Sequence, residues 1–276
     1  MTRIAVLQTT TGIDPAANAQ MLVRAVGEAA AGGAEMLFTP EMSGLLDRNR
    51  ERAATHIVGE ADSEPLRAVR DAAAKAGLWV ALGSLAIRRD DDRYANRSFV
   101  IDATGEIRAR YDKIHMFDVS LASGESWRES AAYVPGSMVV TVTGSPVGKL
   151  GLTVCYDLRF PALFEELGKQ GCDVIAIPAS FTVPTGQAHW HVLQRARAIE
   201  ASAYVVAAAQ VGEHEDGRRT YGHSLVVDPW GEVLLDMGGE APGLGFAEVE
   251  LARIAQVRAQ LPSLANRRPI ATSSAR

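Results

Sequence analysis

The chain has 276 residues, of which 47% are hydrophobic, 22% charged and 6% aromatic, a globular balance with too many core formers for a disordered chain. Its 33 acidic and 28 basic side chains are spread along the sequence and sum to a net charge of −5, so no basic stripe is available for phosphates, which argues against nucleic-acid binding. No apolar stretch approaches the roughly 18 residues that would span a bilayer, and Met1–Gln8 is too short for the apolar core of a signal peptide. A soluble cytoplasmic protein is the expectation.

Arg3 to Gln8 reads as a short buried strand, followed by turn-like residues and by Pro15 at the head of a helix. Leu22, Ala25, Val26, Ala29 and Ala30 fall on one face of that helix, and Gly32 and Gly33 can end it. A second strand, Glu35 to Thr39, delivers Pro40-Glu41 at its end. Ser63 and Pro65 open another helix with Leu66, Val69, Ala73 and Ala76 on one face and Gly77 at its exit. Leu78 to Ile87, Asn96 to Asp102 and Ile107 to Tyr111 are strand-like. Asp90-Asp91-Asp92 and Ala103-Thr104-Gly105-Glu106 are the turns between them.

Asp118 to Met138 carries no clear periodicity and reads as irregular. Beyond it come strands Val139 to Val142 and Lys149 to Val154, joined through a Gly144 to Gly148 hairpin turn. That turn is no phosphate-binding loop: only three residues separate its glycines, and Leu150 stands where a magnesium-coordinating hydroxyl would be needed. A helix from Pro161 to Lys169, a strand from Asp173 to Pro178, a helix from Gln187 to Ala201 and a strand from Tyr204 to Ala209 follow. Hairpins around Asp228-Pro229-Trp230-Gly231 and a last strand, Gly243 to Glu250, complete the core. The pattern is α/β with about twelve strands, more than one open sheet comfortably holds, and the hairpins make the sheets mixed. Two sheets packed face to face with helices outside would absorb them. No linker or internal repeat divides the chain, so one domain over residues 1–252 and a tail over 253–276 are expected.

Cys155 and Cys172 cannot build a disulfide framework and lack CxxC spacing, which leaves inert thiols or a nucleophile. Val154-Cys155-Tyr156-Asp157-Leu158-Arg159-Phe160-Pro161 puts a cysteine where a buried strand gives way to a helix. Such a turn exposes the side chain at the strand's carboxyl end, aims backbone N–H groups at an oxyanion, and places a helix dipole where it would favour the thiolate. Cys172 has none of this context and reads as structural. Attack on an amide also needs a base and then an acid. The six histidines are scattered, and His189-Trp190-His191 has HxH form but no third ligand at a recognisable spacing, so no metal is expected. Glu41 and Lys113, each ending a buried strand, would converge on the same sheet edge as Cys155.

The stretches Leu37-Phe38-Thr39-Pro40-Glu41-Met42, Tyr111-Asp112-Lys113-Ile114-His115-Met116-Phe117-Asp118 and Gly151-Leu152-Thr153-Val154-Cys155 through Pro161 resemble, in order and spacing, the three motifs of the nitrilase superfamily of carbon–nitrogen hydrolases. The similarity runs from Ile4 to about Arg268. It implies a four-layer αββα sandwich and a Glu41-Lys113-Cys155 triad that hydrolyses a non-peptide amide through a thioester, without a cofactor. Arg128-Glu129-Ser130 matches a family segment whose glutamate is a fourth active-site residue, so Glu129 is expected to orient substrate or Lys113. The resemblance also gives Tyr156 a substrate-binding place, its backbone N–H joining Lys113 at the oxyanion, and it implies a homodimer or larger even assembly.

Within the superfamily, Ala207-Ala208-Ala209-Gln210, Tyr221 through Gly231, and Arg267-Arg268-Pro269 look most like the deaminated glutathione amidase branch. Omega-amidase activity on 2-oxoglutaramate, N-carbamoyl-amine hydrolysis and a non-enzymatic scaffold are the alternatives, the last disfavoured by the costly triad of charges. Ser120, where an aspartate is expected, and the loop Gly212 to Arg219 depart from the pattern, both in regions that could touch substrate. A substrate carboxylate needs a cation, and Arg159 is the candidate, with pairing to Asp157 as its structural alternative.

Overall fold

The computed structural model describes residues 1–270 apart from 121, 123 and 125. Its first half runs β1 (Thr2–Gln8), α1 (Pro15–Ala31), β2 (Met36–Phe38), α2 (Arg50–Ala54), α3 (Glu64–Ala76), β3 (Trp79–Arg88), β4 (Tyr94–Ile101), β5 (Ile107–Asp112), β6 (Asp118–Ser120) and β7 (Ser126–Arg128). The second half runs β8 (Thr141–Ser145), β9 (Gly148–Leu152), α4 (Pro161–Lys169), β10 (Val174–Ala176), α5 (Val183–Ala201), β11 (Tyr204–Ala207), β12 (Val211–Glu213), β13 (Arg219–Tyr221), β14 (Leu225–Val227), β15 (Val233–Asp236), β16 (Gly243–Val249) and α6 (Leu251–Gln260).

Twelve of these strands form two six-stranded sheets, ordered β16-β1-β2-β3-β4-β5 and β15-β14-β11-β10-β9-β8. The layering follows from the period of two along each strand. Ile4 and Val6 of β1, with Met36 and Phe38 of β2, turn toward the second sheet and join Leu150, Leu152, Val174 and Val205 in one buried core. Their neighbours Ala5, Leu7 and Leu37 turn the other way, against Leu22 and Val26 of α1 and Leu66 and Val69 of α3. Phe164 of α4 and Trp190 and Ala198 of α5 cover the outer face of the second sheet, completing an αββα sandwich.

Helix boundaries fall where the chain supplies caps. Asp14 accepts from the Ala16 N–H and Pro15 occupies the first turn of α1, while Ser63 caps α3 and Gly77 leaves it in the left-handed conformation at φ 65°. α5 starts four residues before the expected Gln187, because Thr182 takes the cap position and Pro184 fits its first turn.

Two other expectations change. The stretch from Asp118 is not wholly irregular: β6 and β7 pair antiparallel, Asp118 opposite Arg128. The boundary expected after residue 252 falls inside α6, whose Ile254 and Val257 are buried; residues 271–276 of the tail lie outside the described residues. No helix among the described residues is long and apolar enough to cross a membrane.

Strand direction positions the site. β1, β2 and β3 are parallel, β4 is antiparallel to β3, and β5 antiparallel to β4, so β5 again points the same way as β2. The residues that follow β2 and β5 therefore emerge at one edge of the first sheet. β9, β10 and β11 are mutually parallel in the second sheet and bring a further set of loops to the neighbouring edge.

Candidate active site

Glu41 follows β2 in a segment anchored on several sides. The Thr39 N–H donates to the Ala81 carbonyl at 3.0 Å, and the Met42 N–H to Ser84 Oγ at 2.9 Å, with Met42 itself at φ 57°. Gln210 Nε2 donates to the Glu41 carbonyl at 2.9 Å, so a residue after β11 fixes the backbone from across the sandwich. The carboxylate is 4% exposed, and its Oε2 accepts the Ser180 N–H at 2.9 Å, again from the second sheet's side.

Lys113 follows β5, and its side chain is 2% exposed. Its Nζ donates to Glu41 Oε1 at 3.0 Å and to Glu129 Oε2 and Oε1 at 2.8 and 3.0 Å. Burial opposes charge on this amine, but the carboxylates of Glu129 and Glu41 outweigh it and hold the lysine's pKa well above its ordinary value. Glu129, just beyond β7, also accepts the Phe117 N–H at 2.6 Å.

Asn96 of β4 completes the cluster, donating to Glu41 Oε1 at 2.8 Å and to Glu129 Oε1 at 3.1 Å. It was not singled out in the sequence, where a lone asparagine on a strand carries no motif. The one available signal is its period-two position on the strand paired with β5, on the side that would face Lys113.

Cys155 opens a 3-10 turn, Cys155–Arg159, that precedes α4. Its φ is 49°, a left-handed conformation unusual for a residue with a Cβ, and a marker of a site held by its surroundings. The Cys155 N–H donates to the Pro178 carbonyl at 2.8 Å, and the fully buried Asp157 carboxylate accepts the Val154 N–H at 2.9 Å and the Tyr111 hydroxyl at 2.6 Å. The same carboxylate takes the His115 N–H at 3.0 Å and His115 Nδ1 at 2.7 Å, joining the cysteine turn to the lysine segment. Burial together with the Glu41 charge pushes the pKa of the thiol well above the ordinary value, against the pull of Lys113. Burial and the Glu41 charge thus favour the thiol form of Cys155, and Glu41 lines the same cavity.

Glu41, Lys113, Cys155 and Glu129 together line a cavity of about 530 Å³ whose wall also takes in Phe117, Tyr156, Phe181, Trp127 and Arg218. Tyr156 packs edge-on against Phe117 and Phe160, with ring centres 5.1 and 5.3 Å away.

Arg159 is not among the lining residues. Its guanidinium sits over the rings of Phe181 and Tyr156, at 5.4 and 5.9 Å, and 3.2 Å from His189 Nδ1. It pairs with neither substrate space nor Asp157, whose oxygens are already taken. Besides Lys113, the cations that line the cavity are Arg48, Arg50, Arg128, Arg218 and Arg219. Two of these lie in the irregular-looking loop after Gly212, where sequence gave no reason to prefer one arginine over another.

His189 and His191 do not act as a pair. His191 Nε2 and His223 Nδ1 donate to the two oxygens of Asp236 at 3.0 and 2.9 Å, a hydrogen-bonded group on the outer surface of α5. Cys172 is fully buried, and burial raises its pKa to about 12, consistent with an inert thiol.

A buried carboxylate, an ammonium and a thiol thus meet at the edge of an αββα sandwich, in the fold of a carbon–nitrogen hydrolase. The carbon–nitrogen hydrolase family profile matches residues 3–259, and the chain belongs to that family. It is 42% identical to a deaminated glutathione amidase of Yersinia enterocolitica over 86% of this chain and 82% of that protein. It is also 38% identical to a deaminated glutathione amidase of Bos taurus, over 96% of this chain and 82% of that one. The crystal structure of the C. elegans NitFhit protein superposes with a TM-score of 0.89 at 36% identity, covering 97% of this chain and 65% of that one. The superfamily and the αββα architecture expected from the motifs are those found.

Proposed function

We propose that the chain hydrolyses deaminated glutathione, in which a 2-oxoglutaramoyl group is amide-linked to cysteinylglycine, releasing 2-oxoglutarate and the dipeptide. The observation that carries the chemistry is that Cys155, Glu41 and Lys113 line one cavity, with Lys113 Nζ 3.0 Å from Glu41 Oε1. The names of the relatives support the substrate, and a cavity of about 530 Å³ leaves room for a leaving dipeptide as well as the acyl group.

Glu41 takes the proton from Cys155 Sγ as sulfur attacks the amide carbon. The oxyanion is stabilised by Lys113 and the Tyr156 N–H, which bear developing charge more strongly in a buried site than in water. Collapse breaks the C–N bond, and Glu41 returns its proton to the departing amine, leaving a thioester. Water deprotonated by Glu41 then attacks the thioester carbonyl. The second collapse breaks the C–S bond and restores the thiol. Glu129 acts as a positioning residue, holding Lys113 from the side opposite Glu41. No step calls for a metal, so EDTA leaves turnover unchanged.

The proposal includes a cytoplasmic setting, in keeping with two unbridged cysteines, and a homodimer or larger even assembly. The exposed Val192 and Ile199 on α5, beside the cysteine turn, support the assembly. Steady-state rates on deaminated glutathione and 2-oxoglutaramate, measured side by side, test the substrate. A higher kcat/KM for deaminated glutathione is expected. A clear advantage for 2-oxoglutaramate would overturn the choice, and activity on neither would redirect the reading to N-carbamoyl amines.

A further inference from the structure

Five arginines, Arg48, Arg50, Arg128, Arg218 and Arg219, line the cavity of a chain whose net charge is −5. Two of its arginines share one platform: the guanidinium carbon of Arg48 lies 5.4 Å from the Trp127 ring centre and that of Arg218 lies 5.2 Å from it. They come from separate segments, the loop before α2 and the turn between β12 and β13, with Trp127 on β7. Asp216 fastens the two, its Oδ2 accepting the Arg48 N–H at 2.8 Å and Arg218 Nε at 2.9 Å. Arg50, in turn, donates to the Arg128 carbonyl at 2.8 Å and holds β7 in place.

Asp216 meets the backbone of Arg48 and one edge nitrogen of Arg218. Among the described residues the Arg48 guanidinium forms no salt bridge, and Arg218 forms one, to Asp216 through Nε at 2.9 Å. Two guanidinium groups against one ring repel each other, and the single carboxylate of Asp216 offsets only one of the two charges. Unmatched polarity continues into the cavity, where Trp127 Nε1 and Ser180 Oγ are shielded from solvent and have no hydrogen-bond partner among the described residues. Near Trp127 the arginine charge exceeds the one carboxylate of Asp216 set against it, and such an excess of fixed donors is complementary to a further carboxylate.

We propose that Arg48 and Arg218, mounted on Trp127, form an anion subsite for the terminal glycine carboxylate of the leaving dipeptide. This rests on the substrate reading above. The commitment to the leaving-group end comes from order of events: the acyl group stays bonded to the buried Cys155, while the amine must depart toward solvent, where these arginines are.

The test compares deaminated glutathione with its C-terminal glycinamide analogue, which differs only in lacking the glycine carboxylate, on the parent enzyme and on Arg48→Ala, Arg218→Ala and Arg218→Lys. The parent is expected to favour the acid. Each alanine variant should lower kcat/KM for the acid about 10-fold or more beyond its effect on the glycinamide, chiefly through KM, with partial recovery in Arg218→Lys. Arg48→Ala guards against a folding artefact, since its guanidinium makes no hydrogen bond to the described residues. Equal losses on the two substrates, or a parent indifferent to the glycine carboxylate, would overturn the subsite while leaving the hydrolysis of deaminated glutathione intact. A parent that cleaves neither compound overturns the substrate reading, and the subsite with it.

Discussion

Asn96 and Lys113 sit side by side across the sheet, the Lys113 N–H donating to the Asn96 carbonyl at 2.9 Å, and their side chains reach the same two oxygens, Oε1 of Glu41 and Oε1 of Glu129. Two carboxylates in one buried cluster repel each other, and a single ammonium offsets only one charge. The amide of Asn96 supplies two further donors without adding charge. Asn96→Ala should therefore leave a folded enzyme with kcat lowered about 10- to 100-fold, the range of a charge-assisted hydrogen bond. Asn96→Asp adds a third carboxylate to the cluster and should be far more damaging, lowering the urea midpoint as well as activity. Turnover by Asn96→Asp comparable to that of Asn96→Ala would show that the amide's donors do not matter.

The two cysteines should separate by chemistry. Iodoacetamide is expected to label Cys155, which lines the cavity, and to spare Cys172, which is fully buried with its pKa raised to about 12. Peptide mapping after timed quenching reads this directly, and labelling of both at one rate would contradict it. Cys155→Ala should abolish turnover with the fold intact. Glu41→Gln and Lys113→Met should each cost about 10²-fold or more in kcat while leaving the circular dichroism spectrum unchanged.

The reach of the sequence differs between the parts of this site. Glu41, Lys113 and Cys155 were legible because each ends a buried strand, and strand direction sends such positions to one edge. Glu129 came only through its motif, since neighbouring residues gave no periodicity. Asn96 and Ser180 were invisible: their roles are set by register between strands far apart in the chain, which a linear pattern does not encode. Arg159 failed for a related reason. Its nearness to Cys155 in sequence is real, but the 3-10 turn carries its side chain over Tyr156 and Phe181 to His189, while the arginines that reach the cavity come from loops. The start of α5 was within reach, because Thr182 and Pro184 are ordinary helix-opening signals.

Gly83 on β3 tests the rigidity behind Glu41. A Cβ at that position would lie 2.0 Å from the Thr39 carbonyl oxygen and 2.5 Å from that of Pro40, both rigid backbone. The Gly83 N–H also donates to Thr39 Oγ1 at 2.9 Å. Gly83→Ala must push the segment carrying Glu41 away from β3, and should destabilise the protein by about 3 kcal/mol or more, the upper range for overpacking. Because the displaced segment ends at the proposed base, activity should fall even at temperatures where the variant stays folded. An unfolding midpoint within error of the parent would show that the strands part without cost.

Stability should also depend on pH through His214. This side chain is 3% exposed, with Nδ1 donating to the Thr11 carbonyl at 2.9 Å and Nε2 accepting from Thr220 Oγ1 at 2.8 Å. Both ring nitrogens are satisfied with the ring neutral, and burial lowers its pKa below 6.5 despite the Thr11 hydrogen bond. In the unfolded chain the same ring takes a proton near pH 6.5, so between that value and the lower folded one the unfolded state holds more protons. Stability then rises with pH across this window: His214 favours folding fully above about pH 6.5, and its contribution is lost as pH falls toward the folded value. The carboxylates whose pKa is held down, Asp47 and Asp102 among them, act lower, near and below their ordinary 3.8. Urea midpoints measured from pH 7.5 to 5 should therefore decline for the parent and decline less for His214→Gln, which keeps a donor and an acceptor but cannot titrate. Parallel slopes for the two proteins would assign the acid sensitivity to other groups.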